Sequence, residues 1–156
     1  MNRSAMRILS LDEARHFHDV LGYRQLEWED GRAVLALELQ PYHLNISGVV
    51  HGGVLTALLD IACAQAGLYC PYPGRIRKGI TLSLTTTFTG QASGGTLRVI
   101  GTLRSRGRRI FSSSGEVLDD GGRLLAMGEG TFRIRSGSED PGGVPVTRAS
   151  EGGSVR

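Results

Sequence analysis

From residue 54 to residue 69 the chain is apolar almost without interruption, and only Thr56, Asp60 and Gln65 are plainly polar. So sparse a polar pattern predicts a helix with no solvent face, packed inside the protein. About 16 residues at 1.5 Å each reach roughly 24 Å. That length, with Asp60 near its middle, is too short and too charged to cross a bilayer. An isolated carboxylate costs several kcal/mol to bury unless something pairs with it, so Asp60 needs a partner or a task.

On both sides of this segment the period is two. Residues 23–29 and 32–39 flank Asp30-Gly31, a hairpin signal because glycine accepts positive φ. Leu35, Leu37 and Leu39 then face one way, with Val34, Ala36 and Glu38 on the other side. Pro71, Pro73 and Gly74 stop the helix and turn the chain. Residues 79–88 alternate, with Ile80, Leu82, Leu84 and Phe88 on one face and Thr81, Ser83, Thr85 and Thr87 on the other. Further strands are expected over 96–105, 108–119 and 123–134, joined at Gly107 and at Asp120-Gly121-Gly122. A short helix over 11–21, ended by Gly22, precedes them all. Six strands and one buried helix make an α+β fold, an antiparallel sheet covering a helix.

The ends are different in character. Residues 1–10 are polar, read as a flexible start without the apolar run of a signal peptide. From Ser136 to the end, Gly, Ser and Pro dominate, and such a composition buries too little surface to order itself. The expected organisation is therefore one domain over 11–135 and an unordered tail over 136–156.

Composition narrows the picture modestly. A chain of 156 residues is large enough for one core, and its net charge of +3 suits an anionic ligand without demanding nucleic acid. Cys63 and Cys70 stand seven residues apart on the helix, about 10 Å, beyond disulfide reach. They read as core thiols in a reducing, cytoplasmic setting. His16 and His18 have only Asp19 as an acidic neighbour and no nearby cysteine, so they read as surface histidines and no metal is expected.

Candidate chemistry gathers at the start of the central helix. Gly52 and Gly53 open it, where the first N–H groups are unpaired and the macrodipole is positive. Without side chains there, a ligand carbonyl can approach those donors as it becomes an oxyanion. Asn45 and His51 stand beside them in sequence. Gly53 and Asp60 are about 10 Å apart along one helix, too far for both to reach one carbon. If both act on one substrate they must come from two chains, with helices antiparallel across a two-fold axis.

The pattern Asn45…Gly48-x-x-His51-Gly52-Gly53-x6-Asp60 before an antiparallel sheet resembles the hotdog-fold acyl-CoA thioesterases of the PaaI-like type, within the 4-hydroxybenzoyl-CoA thioesterase superfamily. The resemblance runs from about residue 21 to 134. It implies a six-stranded sheet wrapped around a long central helix, homodimers that often pair again into tetramers, and hydrolysis of an acyl-CoA thioester with no metal or redox cofactor, CoA being part of the substrate. It matches Asp60 to the carboxylate that activates water or attacks the thioester carbon, the two routes remaining open. Gly53 matches the N–H donor to the thioester oxygen; His51, Asn45 and Gly52 line the same pocket, and Thr81 falls where a hydroxyl often helps hold the water.

The phosphates of CoA call for cations. Arg104, Arg106, Arg108 and Arg109 cluster around Gly107, and Arg75, Arg77 and Lys78 precede the third long strand. Arg106, Gly107 and Arg108 are the resemblance's candidates for that contact, against the plain alternative of a solvated hairpin tip. The cluster lacks the aromatic residues or helix-turn-helix context of a nucleic-acid binder. Leu11, Phe17, Leu21, Tyr23, Leu58, Ile61 and Ala62 are candidates to shape the acyl pocket. Two other readings stay open: a hotdog module that binds acyl-CoA without cleaving it, and a hydratase or dehydratase on the same fold. Cys63, deep on an apolar helix without a paired base, reads as core.

Overall fold

The computed structural model describes residues 13–147. In chain order the elements are α1 (Phe17–Leu21), β1 (Arg24–Glu29), β2 (Arg32–Glu38), α2 (Gly52–Gly67), β3 (Arg75–Ile76), β4 (Gly79–Phe88), β5 (Thr96–Arg106), β6 (Ile110–Leu118), β7 (Leu124–Ile134) and β8 (Val144–Pro145), with a 3-10 turn at Pro41–His43. Six of the strands form one antiparallel sheet in the order β1-β2-β5-β6-β7-β4. This is the α+β arrangement that the apolar run and the alternating strands predict. Among the described residues no helix is long and apolar enough to cross a membrane.

A row of small residues decides where α2 lies. Gly101, Gly115 and Gly128 pair side by side across β5, β6 and β7, continued by Ala33 on β2 and Thr86 on β4. A Cβ on Gly101 would stand 2.2 Å from the carbonyl oxygen of Ala62, and one on Gly115 would stand 2.9 Å from the Cys63 sulfur. The helix thus lies in a trough cut by missing side chains. Around it Leu55, Leu58, Leu59 and Ala62 pack on Leu35, Leu37, Leu97, Val99, Val117 and Leu125. At the helix's far end Cys63 meets the stacked rings of Phe111 and Phe132, whose centroids are 5.1 Å apart. Burial of this many large apolar side chains, at roughly 1.5–3 kcal/mol each, is the main force holding the fold.

Three expectations need correction. First, α2 does have an open side: Thr56, Ala57, Asp60, Ile61 and Ala64 are only half-buried, because the sheet covers one flank of the helix and not its circumference. Second, the N-terminal helix is one short turn, Phe17–Leu21, with Asp19 accepting the N–H groups of Arg15 and His16 (3.0 Å each); Leu11 lies outside the described residues. Third, part of the segment expected to be unordered is built in. β8 pairs with β3, Arg75 donates to the carbonyls of Gly142 and Gly143 (2.6 and 2.7 Å), and Arg77 to those of Ser138 and Glu139 (3.1 and 3.0 Å). A count of apolar side chains misses this, since arginine forks bonding backbone oxygens hold the segment. Residues 148–156 lie outside the described part.

Candidate active site

Chain direction places the site at the mouth of the trough. His51 is the N-cap of α2, in extended conformation, and its carbonyl accepts the N–H of Val54 and Leu55. Its ring turns back, so that Nδ1 accepts the N–H of Gly53 at 2.8 Å. The donor expected to polarise a carbonyl is therefore already capped by the neighbouring imidazole. The Gly52 N–H has no partner among the described residues, and the Phe88 ring would lie 3.3 Å from a Cβ there. Both glycines are thus kept bare by close neighbours.

Asn45 shapes the approach to this cap. Its Oδ1 accepts the N–H groups of Ser47 (2.9 Å) and Val49 (3.3 Å), fixing the turn through Gly48, whose φ is +78°. The turn presents Asn45 as a brace for the loop, with its amide nitrogen still available.

Asp60 lies two turns along α2 and is half-buried. Its Oδ1 accepts the Thr81 hydroxyl at 2.7 Å, and nothing among the described residues bonds Oδ2. Thr81 arrives there by a route the simple alternation hides. β4 carries an irregularity between Thr81 and Ser83, so that Thr81 opposes Phe132 while Leu84, Thr86 and Phe88 oppose Gly130, Gly128 and Ala126. The extra residue brings Thr81 onto the same helix-facing side as Leu84. The expected separation of Thr81 from that face is corrected accordingly.

The basic residues divide. Arg106 pairs with Asp30, Nη2 to Oδ1 at 2.6 Å, and Arg75 and Arg77 serve the C-terminal segment. Arg108 and Arg109 are exposed beyond the Gly107 turn, where the Gly107 N–H donates to the Ile110 carbonyl. Glu139 stands in their positive field; its own and Gly137's backbone N–H groups, followed by Arg109 and Arg108, hold its carboxyl below the ordinary value. Arg104 lies elsewhere, on the outer face of the sheet beside Glu129. His16, His18 and Asp19 bring ligand-capable atoms within 4.8 Å of one another, an exposed grouping in which Asp19 is already committed to capping α1.

Sequence reasoning passed over His43. It is buried, with Nδ1 accepting the Gln40 N–H (2.9 Å) and Nε2 facing the Leu21 carbonyl (2.8 Å). Since Nδ1 accepts, the proton sits on Nε2 and is donated to Leu21. The His43 carbonyl in turn accepts the His51 N–H at 2.9 Å. One residue thus ties α1 to the loop and the loop to the cap. Only Pro41, setting the 3-10 turn, hinted at a defined conformation here. Cys63 is inert, its thiol pushed up to about 12 by burial and then by the Asp60 charge.

Residues 47–126, more than half the chain, match the family model described as Thioesterase superfamily. The chain belongs to the thioesterase superfamily. A relative of this superfamily chain in Schizosaccharomyces pombe, whose name assigns it provisionally to the esterases, is 32% identical over 114 residues, covering 68% of this chain and 65% of that protein. Acyl-coenzyme A thioesterase 13 of Homo sapiens is 25% identical over 130 residues, 81% of this chain and 91% of its own. Among solved structures, a mutant of the phenylacetic acid degradation protein PaaI from Thermus thermophilus is similar at a TM-score of 0.65. It shares 29% identity over 76% of this chain and 97% of that one. The superfamily chain accordingly has the hotdog fold, with the sheet and long helix already described.

Proposed function

We propose that this chain hydrolyses the thioester of an acyl- or aryl-CoA to the free acid and CoA, using one site shared by two subunits. The observation that carries the reading is the Asp60 carboxylate, half-buried on the open flank of α2 and held through one oxygen by Thr81, with its other oxygen free. A carboxylate fixed in this way suits a general base for water or a nucleophile toward a carbonyl carbon. In the first route water loses a proton to Asp60 and adds to the carbonyl; in the second Asp60 adds directly, and water cleaves the resulting mixed anhydride. CoA leaves as thiolate in both.

Three further features support the reading. The Gly53 N–H, positioned by the helix start, is a donor for the developing oxyanion once His51 yields it. The apolar residues left half-buried on α2, Ala57, Ile61 and Ala64, offer a surface for a second helix. β4 ends one side of the sheet, and its Ile80, Leu82 and Phe88 are exposed. A dimer across this edge brings Asp60 of one subunit toward Gly53 of the other; a further pairing to a dimer of dimers is part of the same proposal. Arg108 is the cation offered to the CoA phosphates, and no metal is assigned a step.

The test is release of free thiol from hexanoyl-CoA and phenylacetyl-CoA. Wild type turns both over, and Asp60→Asn loses at least about a hundredfold in kcat, since it removes base and nucleophile together. Full turnover by Asp60→Asn would contradict the proposal. Binding without turnover by wild type would favour the non-cleaving module.

A further inference from the structure

His16, His18 and Asp19 are brought together by something other than helical spacing. On a regular helix, residues two apart point to different sides. His16 is instead the N-cap of α1, with φ −137° and ψ 161°, and this extended residue swings its ring over that of His18. The two imidazoles stack, with centroids 5.2 Å apart and planes 15° from parallel. Residues read from the sequence as separate surface histidines thus form one cluster with Asp19.

The cluster has the spacing of a metal site. One nitrogen from each ring and one Asp19 oxygen lie within 4.8 Å of one another. His18 Nε2 is 3.3 Å from Asp19 Oδ1, and His16 Nδ1 is 3.7 Å from Oδ2. Four ligands at the usual zinc bond lengths stand about 3.3–3.6 Å apart at the corners of a tetrahedron. Both histidine–carboxylate edges are close to that separation, and both rings are exposed.

Asp19 can serve an ion without leaving its cap. Oδ2 accepts the N–H groups of Arg15 and His16, which fixes the carboxylate as hydrogen-bond donors do around metal ligands. Oδ1 is the oxygen facing His18. The His16 ring also faces the Asp19 N–H in the capping box, but that N–H keeps the His16 carbonyl, at 3.0 Å, when an ion takes Nδ1.

We infer that His16, His18 and Asp19 bind one divalent ion of the zinc class, with water completing its shell, and that the ion fastens the start of α1. Two imidazoles and a carboxylate favour zinc, nickel or copper over magnesium and calcium, which take oxygen ligands. A helix of five residues is too short to hold itself in water. At its far end α1 is held by buried Leu21, whose carbonyl accepts from His43; the ion supplies a hold at the near end. The site lies outside the chemistry proposed for Asp60 and Gly53, and it does not depend on the chain being a hydrolase.

The experiment is calorimetric titration of the untagged full chain with Zn²⁺ and with Mg²⁺, joined to amide hydrogen exchange. Wild type is expected to bind one Zn²⁺ per chain at least a hundredfold more tightly than Mg²⁺. His16→Gln, His18→Gln and Asp19→Asn should each weaken Zn²⁺ binding about tenfold or more. The two histidine variants leave the Asp19 carboxylate in place, so their loss does not come from removal of the cap. His51→Gln should bind Zn²⁺ as wild type does. Zn²⁺ should also slow exchange of the Val20 and Gly22 amides, which bond to the His16 and His18 carbonyls, and His18→Gln should abolish the slowing. Equal affinity for the two metals, or Zn²⁺ binding that His16→Gln and His18→Gln leave unchanged, overturns the site, as does its loss in His51→Gln. Exchange rates that Zn²⁺ does not alter overturn the fastening of α1.

Discussion

Replacing Gly101 by alanine should harm the fold far more than the same change at Gly115, though the two are direct partners in the sheet. The new Cβ at position 101 meets the backbone of α2, 2.2 Å from the Ala62 oxygen and 2.4 Å from its carbonyl carbon. Backbone cannot swing aside, so α2 must retreat by about 1 Å, enough to forfeit a quarter to a half of the dispersion energy of each contact it loosens. Overpacking of this kind costs about 1–3 kcal/mol and sometimes more. Loss of glycine's freedom in the unfolded chain returns about 0.4–1 kcal/mol. Taking the upper half of that overpacking range, because the new atom meets backbone, the net expectation for Gly101→Ala is a loss of about 1–2.5 kcal/mol.

At position 115 the nearest atoms to the Cβ are on side chains instead, the Cys63 sulfur at 2.9 Å and a Leu59 methyl at 3.0 Å, with the Ile100 carbonyl oxygen farther off at 3.3 Å. The side chains can give by a few tenths of an ångström, so Gly115→Ala should cost about 1 kcal/mol or less. A double-mutant cycle separates the two causes. Cys63→Ala removes the sulfur and should rescue Gly115→Ala with a favourable coupling of about 0.5–1 kcal/mol, while leaving Gly101→Ala uncorrected. Urea unfolding at one fixed protein concentration reads every variant of the cycle. Wild-type stability in Gly101→Ala, or equal rescue of both glycine variants by Cys63→Ala, would refute the trough.

Three other expectations follow from single contacts. Thr81→Val removes the hydroxyl that holds Asp60 and should lower kcat about tenfold with little change in KM, the scale of one hydrogen bond to a charged group; an unchanged kcat in steady-state assays would mean that Thr81 is only packing. With Cys70 replaced by alanine, Cys63 should react with a thiol reagent at pH 8 only as fast as the protein unfolds, because its pKa is pushed up to about 12; rapid labelling of the folded protein would contradict this. His43 has its pKa lowered by burial, so as pH falls below the ordinary histidine value of about 6.5 the unfolded chain takes up a proton that the folded one refuses. The stability His43 contributes is thus present above that value and lost as pH falls toward its folded pKa. Urea melts at pH 5, 6 and 7 should show a smaller decline for His43→Asn than for wild type, and identical declines would rule the effect out.

What could be read in advance, and what could not, differs by the range of the interactions. The central helix was legible because an apolar run, an opening at Gly52-Gly53 and a stop at Pro71, Pro73 and Gly74 are local signals. The β1–β2 hairpin announced itself through Asp30-Gly31, with Gly31 at a φ of +88°. The Asn45…Asp60 spacing singled out the candidate residues before any geometry was known. The irregularity at Thr81 was hidden, since β4 offers apolar and hydroxyl side chains in plausible alternation in either register. The role of His43 was equally hidden, because its partners at Leu21 and Gln40 lie far along the chain or on the backbone. The commitment of Arg75 and Arg77 to the carbonyls of residues 138–143 leaves no hydrophobic trace at all.

The central claim, that each site takes Gly53 from one subunit and Asp60 from another, can be tested by mixing two inactive variants. Asp60→Asn lacks the carboxylate; Gly53→Pro lacks the N–H, at a first-turn position where proline is tolerated. Refolded together, mixed dimers contain one site with both Gly53 and Asp60 intact and one with neither. The account predicts that thiol release from hexanoyl-CoA, absent in each variant alone, returns in the mixture toward half the wild-type rate per mixed dimer. A mixture that forms dimers yet stays as inactive as its components would place both residues' work within a single chain and contradict it.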